Sequence, residues 1–178
     1  MDDLNATGAS LLGFLHGAPK TGWDLLQEIE RGFGHFWNVT ASHVYRELKA
    51  LQARGYIEAG ERQARDRRPY TITADGREAF AEWLRQAPGQ ETMRIPLLVT
   101  VWFGAHLEPG LLREFIDGHR AINARRLNHY RSVPPETLNA DPYLAAVVGF
   151  GIAYEQAVLT WMDSLDGLPA RTTGQEQA

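Results

Sequence analysis

Apolar positions in the first half of the chain fall into short blocks at helical spacing, each closed by glycine or proline. Leu11, Leu12, Phe14 and Leu15 predict a first helix, capped by Thr7 and stopped at His16-Gly17-Ala18-Pro19. Trp23, Leu25, Leu26 and Ile29 predict a second, capped by Thr21 and ended by Gly32 and Gly34. Val44, Leu48 and Leu51 step by four and three, the inward stripe of a third helix that Thr40 caps and Gly55 closes. The period then changes. Tyr56-Ile57-Glu58-Ala59 and Pro69-Tyr70-Thr71-Ile72-Thr73 read as two short strands, joined through a polar loop at 61–68 into a hairpin. A fourth helix, capped by Thr73, carries Phe80, Trp83 and Leu84 to about residue 85.

Gln86-Ala87-Pro88-Gly89-Gln90 is the linker signal, and beyond it every block has helical spacing. Residues 94–106 and 108–131 form two helices, Pro134-Pro135 breaks the pattern, and Asp141 caps a last helix to about residue 165. In that helix Tyr143, Val147, Phe150, Tyr154, Ala157 and Trp161 repeat at steps of four and three. Such a heptad-like seam is buried either inside one bundle or between two copies of the chain. The expected fold is mainly α: a winged helix-turn-helix domain over 1–87, with three helices and a two-stranded wing, then a helical domain over 91–168. A flexible polar tail, 169–178, follows.

Charge sharpens this picture. The net charge is -4, yet residues 40–68 hold seven Lys/Arg against four Asp/Glu, so a basic element sits on an acidic body. Three helices followed by a hairpin with a basic loop suit DNA. The third helix packs one face on the first two and offers the other to the major groove, while the loop reaches the backbone or a neighbouring groove. Thr40, Ser42, His43, Tyr45, Arg46 and Lys49 are the polar residues left for the groove, and Arg65, Arg67 and Arg68 those of the wing. An exposed helix face, with Arg46 and Lys49 salt-bridged to Glu47 or its neighbours, is the bland alternative there. For the whole module the alternative is a winged helix that contacts only proteins.

Several residue runs resemble the PadR family of bacterial regulators. Leu11-Leu12-Gly13-Phe14-Leu15 with Gly22-Trp23-Asp24-Leu25 is similar to its first two helices, and Thr40-Ala41-Ser42-His43-Val44-Tyr45-Arg46-Glu47-Leu48 to its recognition helix. Arg67-Arg68-Pro69-Tyr70-Thr71-Ile72-Thr73-Ala74-Asp75-Gly76 is similar to its wing strand and the start of the next helix. Ala41, Ser42 and His43 depart from the family's Pro-Gly-Thr at the point where base contacts are expected. The resemblance implies a repressor that binds a palindromic operator as a homodimer through its C-terminal helices. It also implies release by a small aromatic ligand, for which Trp102, His119, Tyr154 and Trp161 are the candidate contacts; Arg120, Arg125, His119 or Tyr154 would hold a carboxylate. Packing within the core or the dimer accounts for the same aromatics without a ligand.

Other classes have little to stand on. There is no cysteine, no His-Glu-x-x-His, no Gly-x-Ser-x-Gly and no phosphate loop, so neither a metal, a cofactor nor a catalytic residue is expected. Met1-Asp2-Asp3 is acidic where a signal peptide is basic, and the apolar run at 143–152 is shorter than a bilayer span. A cytoplasmic protein without membrane contact is the expectation.

Overall fold

The third helix shows how local sequence sets the fold. In the computed structural model, which describes residues 4–32, 36–37, 39–62, 67–90 and 92–167, it spans Ala41–Ala53. Thr40 Oγ1 accepts from His43 N at 3.3 Å, so the expected cap is made. At the other end Gly55 takes φ +74°, and Tyr56 N and Gly55 N donate to the carbonyls of Leu51 and Gln52 at 3.0 Å each. That reverse turn satisfies carbonyls the helix leaves open and feeds the chain into a strand. Arg65, Gly34 and the tail 169–178 lie outside the described residues.

The chain divides into two compact units, Met1–Gln90 and Glu91–Ala178. In chain order the first contains α1 (Ala6–Phe14), β1 (Lys20–Thr21), α2 (Gly22–Gly32), α3 (Ala41–Ala53), β2 (Ile57–Ala59), β3 (Pro69–Ile72) and α4 (Ala74–Arg85). Asn5, not Thr7, caps α1: its Oδ1 accepts from Gly8 N at 2.8 Å, and Thr7 lies buried within the helix. Thr21 does cap α2, accepting from Asp24 N at 3.2 Å, while Asp24 Oδ2 accepts from the nitrogen and hydroxyl of Thr21 at 2.9 and 2.8 Å.

The expected two-stranded wing is part of a three-stranded antiparallel sheet of order β1-β3-β2. Lys20 and Thr21 pair with Tyr70 and Pro69, and Ile57 pairs with Ile72. Two residues carry no periodicity, so β1 is defined only by its partner. The Ile57–Ile72 pair turns into a core of Leu11, Leu12, Leu15, Leu25, Ile29, Val44, Leu48 and Leu51. Thr73 joins sheet to α4: its hydroxyl donates to Gly55 O at 2.7 Å and accepts from Gly76 N at 3.1 Å. Leu84 does not join the core; it is exposed.

The second unit is helical throughout: α5 (Pro96–Trp102), a 3-10 turn (Gly104–His106), α6 (Leu111–Arg131), α7 (Pro135–Ala140), α8 (Pro142–Ser164) and a closing 3-10 turn (Leu165–Gly167). The helix expected from 94 starts two residues later, because the residue before a proline is held extended; Ile95 sits at φ -119°. The helix expected from 108 waits for Gly110 at φ +89°. Pro135, read as part of a break, instead opens α7, since its fixed φ suits a first turn. Asp141 caps α8 as expected, accepting from Tyr143 N and Leu144 N at 3.0 Å.

α6 and α8 lie side by side, with Tyr130 across Gly151 and an Arg120 guanidinium nitrogen donating to Met162 O at 3.2 Å. The face of α8 turned to this packing carries Val148, Gly151, Glu155 and Met162. The first part of the heptad-like seam is therefore not buried within the chain, with Tyr143 84% exposed and Phe150 58%, whereas Trp161 at its end packs on Leu97, Ile116 and Met162. By length and composition Pro142–Gly167 is apolar enough to cross a membrane, with mean hydropathy 1.3 in its most apolar window. The run 143–152 understated it, because small and β-branched residues prolong the helix beyond Ile152.

Candidate nucleic-acid interface

With residues advancing by about 100° each, Ser42, Arg46 and Lys49 fall opposite the buried Val44, Leu48 and Leu51. All three are exposed. Thr40 is exposed too, but its hydroxyl serves the cap and lies 3.0 Å from Ser42 Oγ. Tyr45 and His43 occupy the two flanks of this face. On the α2 side the Tyr45 ring rests on Gly22, where any Cβ would lie 2.5 Å from Tyr45 Cε1. Glycine at the first residue of α2 is thus what lets the half-exposed phenol lie flat there. On the α1 side His43 Nε2 lies 3.5 Å from Glu47 Oε1, and Glu47 Oε2 accepts from Asn5 Nδ2 at 3.0 Å. Glu47 is occupied by His43 and Asn5; among the described residues no ion pair engages Arg46 or Lys49. The salt bridge to Glu47 is not made, and both cations stand on an exposed helix face.

The wing adds a second charged surface. Arg68 Nε donates to Gly60 O at 2.9 Å and Gly60 N donates to Pro69 O at 2.8 Å, so Arg68 also ties the base of the hairpin. Arg67 is exposed. Arg65 lies outside the described residues, and nothing is placed there. Thr21, Gly22, Trp23, Tyr45, Arg62, Arg67, Arg68 and Tyr70 line one open recess of about 370 Å³. Beneath it the Asp24 carboxyl is held below its ordinary range, first by the Thr21 backbone and side-chain hydrogen bonds and then by Arg67 and Lys20. Three guanidinium groups, two phenols and a helix start converge here. Such a set favours an anionic oxygen over any neutral group.

Trp23, Tyr70 and Arg62 were absent from the expected site. Trp23, one of the apolar positions that predict α2, is 49% exposed. The signal was present in the wheel: Leu25, Leu26 and Ile29 cluster on one side of α2, and Trp23 falls off it. Tyr70 reaches the recess only because β3 is the central strand.

The four expected effector contacts occupy different settings. Trp102 is 82% exposed at the end of α5, and His119 is exposed on α6. Trp161 packs on the cluster of Leu97, Ile116 and Met162. Tyr154 is half-buried with its ring 6.3 Å from that of Phe150. Arg120 is already engaged by Asp117, Asp163 and Asp166 at 2.6 to 3.3 Å, so the expected free guanidinium is instead a strap between α6 and the end of α8.

Comparison with known proteins gives the same division of the chain. Residues 11–82 match the transcriptional regulator PadR-like family, and residues 93–166 match the virulence activator alpha C-terminal family. A Mycobacterium tuberculosis protein named "Probable transcriptional regulator Rv1176c" is 22% identical over 82% of this chain and 88% of its own length. The negative transcriptional regulator PadR of Bacillus subtilis is 28% identical over 53% of this chain and 54% of its own. Its structure in complex with operator DNA superposes with a TM-score of 0.75 at 20% identity, covering 92% of this chain and 97% of that one. Its structure in complex with p-coumaric acid gives 0.64, also at 20%, over 90% and 96%. The PadR-like transcriptional regulator BC1756 of Bacillus cereus gives 0.78 at 20% identity, over 89% and 94%. With its three-helix core, winged sheet and helical second unit, this chain carries a PadR-like transcriptional-regulator domain of winged-helix fold, followed by a virulence-activator-type C-terminal domain.

Proposed function

We propose that the chain is a homodimeric repressor that reads a palindromic operator with the outward face of α3 and clamps the phosphate backbone with the wing. The observation that carries this reading is the pairing of two surfaces in one unit. Ser42, Arg46 and Lys49 stand opposite the core, unengaged by carboxylates, beside a recess where Arg62, Arg67 and Arg68 meet Tyr45. Base edges would be read by Ser42, His43 and Arg46, and phosphates held by Thr40, Tyr45, Lys49 and the wing arginines, Arg65 included. The first unit is the DNA-binding domain in this reading and the second the dimerisation domain.

The exposed apolar face of α8, with Tyr143, Val147 and Phe150, supports the dimer, since such a face is stable in water only when covered. A second copy on it also explains an apolar helix of membrane-spanning length in a regulator that works on DNA. Two-fold symmetry then sets the half-sites about 10 bp apart, or a multiple of that. Repression follows the B. subtilis relative, named a negative regulator, and release by a planar aromatic acid follows that protein's p-coumaric acid complex. Trp102, His119, Tyr154 and Trp161 are the contacts such a ligand would use, brought together only on assembly.

Fluorescence-anisotropy titration against the gene's own upstream DNA, with a scrambled control and a salt series, tests the reading. Selective binding that weakens steeply with salt is expected. Arg67→Ala should reduce the log–log salt slope by about one on every sequence. Equal slopes for wild type and variant defeat the wing assignment. Absence of selective binding across a random library defeats the DNA reading and leaves the protein-contact module.

A further inference from the structure

The recess between α2, α3 and the wing has more room and more ring surface than a passing DNA backbone uses. Its volume is about 370 Å³, inside the range of about 300–1,000 Å³ that small-molecule sites occupy. A duplex backbone, tethered on both sides of each phosphate, brings oxygens to the mouth and not a group that fills the interior. Trp23, Tyr45 and Tyr70 line the recess together with Arg62, Arg67 and Arg68. Trp23 is 49% exposed and Tyr45 51%. Holding a phosphate needs cations alone. Ring faces set among guanidiniums suit a flat aromatic group, through stacking and cation–π contact.

Several walls are fixed by the fold itself. Tyr45 lies against Gly22, where no Cβ fits. Arg68 Nε donates to Gly60 O at 2.9 Å. Tyr70 belongs to the central strand, paired with Lys20 on one side and Ala59 on the other. The start of α2 adds the positive end of its helix. Charge then selects the anion. Lys20 and Glu28 pair at 3.1 Å and cancel. Three guanidiniums remain against one carboxylate, Asp24, kept ionised by two hydrogen bonds from Thr21. The excess of two positive charges is matched by a phosphate monoester, which carries about −1.5 to −2 at neutral pH, and not by a single carboxylate. We infer that this recess is a binding site for a planar aromatic ring bearing a phosphate monoester, a nucleoside monophosphate being the simplest, and that this ligand and the DNA backbone exclude each other there. The site stands on the recess alone. The exclusion rests on the DNA reading proposed above, because Tyr45, Arg67 and Arg68 serve both.

Calorimetric titration of the full chain with AMP tests the site. AMP should bind, with inorganic phosphate, adenosine and benzoate each weaker by about tenfold or more. Trp23→Ala removes a stacking face and should weaken AMP by about tenfold. Arg67→Ala should do the same by removing a charge-assisted donor. Arg85→Ala, an exposed arginine paired with Glu82 outside the recess, should leave AMP binding unchanged. Thermal melts check that each variant is folded. No AMP binding at millimolar concentration overturns the inference. So does inorganic phosphate that binds as tightly as AMP, or AMP binding untouched by Trp23→Ala, since either removes the ring. Benzoate as tight as AMP overturns the choice of phosphate. In the anisotropy assay AMP should raise the apparent Kd for DNA in proportion to its concentration, and Trp23→Ala should need about tenfold more AMP for the same shift. AMP bound with DNA affinity unmoved overturns the exclusion and keeps the site. A chain that binds AMP and no DNA defeats the function proposed above and leaves this site standing.

Discussion

The two units of this chain solve the burial problem differently. In the first, α1, α2, α3 and the sheet close over a core of leucines, isoleucines and Val44, and the recess outside it is lined mainly by polar and aromatic residues. In the second, the buried cluster is Leu97, Ile116 and Met162, while Trp102 and Tyr143 stand more than four-fifths exposed. Their perturbed carboxyls move in opposite directions. Asp24 is lowered because Thr21 donates to it twice. Glu155 in α8 is raised because it is wholly buried and neither oxygen has a hydrogen-bond partner, with Arg126 only partly offsetting the burial and Tyr130 beside it. The first unit is complete as one copy. The second has an apolar face left over and a charge-bearing group in its α6–α8 seam that costs stability.

The largest test of that contrast is Leu48→Ala. Leu48 is fully buried, and the cavity should lower unfolding free energy by about 2–5 kcal/mol in urea titration. An effect below about 1 kcal/mol would mean the first unit is less tightly packed than its burial indicates. Next in size is Phe150→Asp on the exposed face of α8. Self-association should weaken by roughly thirtyfold or more, read by sedimentation at several concentrations, with little change in monomer melting. A monomeric wild type would break the comparison at its root.

Glu155→Gln probes the seam. A buried carboxyl raised above its unfolded pKa stabilises most when protonated, so its contribution is lost as pH rises through the folded value. Wild type should therefore lose stability with rising pH through and above the ordinary carboxylate range, relative to Glu155→Gln. At neutral pH the variant should be more stable by about 1–3 kcal/mol. Parallel pH profiles for the two proteins would show that Glu155 has found a partner. Asp24→Asn gives the opposite sign and a smaller effect. The lowered carboxyl stabilises above its unfolded pKa and loses that contribution as pH falls through the folded one. The variant should lack this acid-side loss and be less stable at neutral pH by about 1 kcal/mol, as for a lost helix cap.

Much of the fold was legible because its determinants are local. Thr21, Thr40, Thr73 and Asp141 cap helices through bonds to residues two or three positions on, and Gly55 ends α3 by its own backbone freedom. The inward stripe of Val44, Leu48 and Leu51 needed only the helical period. Asn5 in place of Thr7 was not legible, since either residue can cap and the choice fell with how early α1 begins. Trp23 in the recess was not legible from hydrophobic identity alone, since the recess takes an exposed indole.

By itself the sequence determined the order of the main helices and the hairpin, the polar face of α3 and the basic character of residues 40–68, all set by side-chain period, local capping and charge. Tertiary structure alone decided that Lys20 and Thr21 form a strand, because a two-residue strand exists only through its pairing with β3. It decided that Glu47 faces His43 and Asn5 and leaves Arg46 and Lys49 to solvent, because Asn5 is forty-two positions away in the chain. It also decided which of two adjacent seams on α8 meets α6. Both have the required spacing, and only packing against Tyr130 and Met162 distinguishes the one holding Gly151 and Glu155 from the one left exposed.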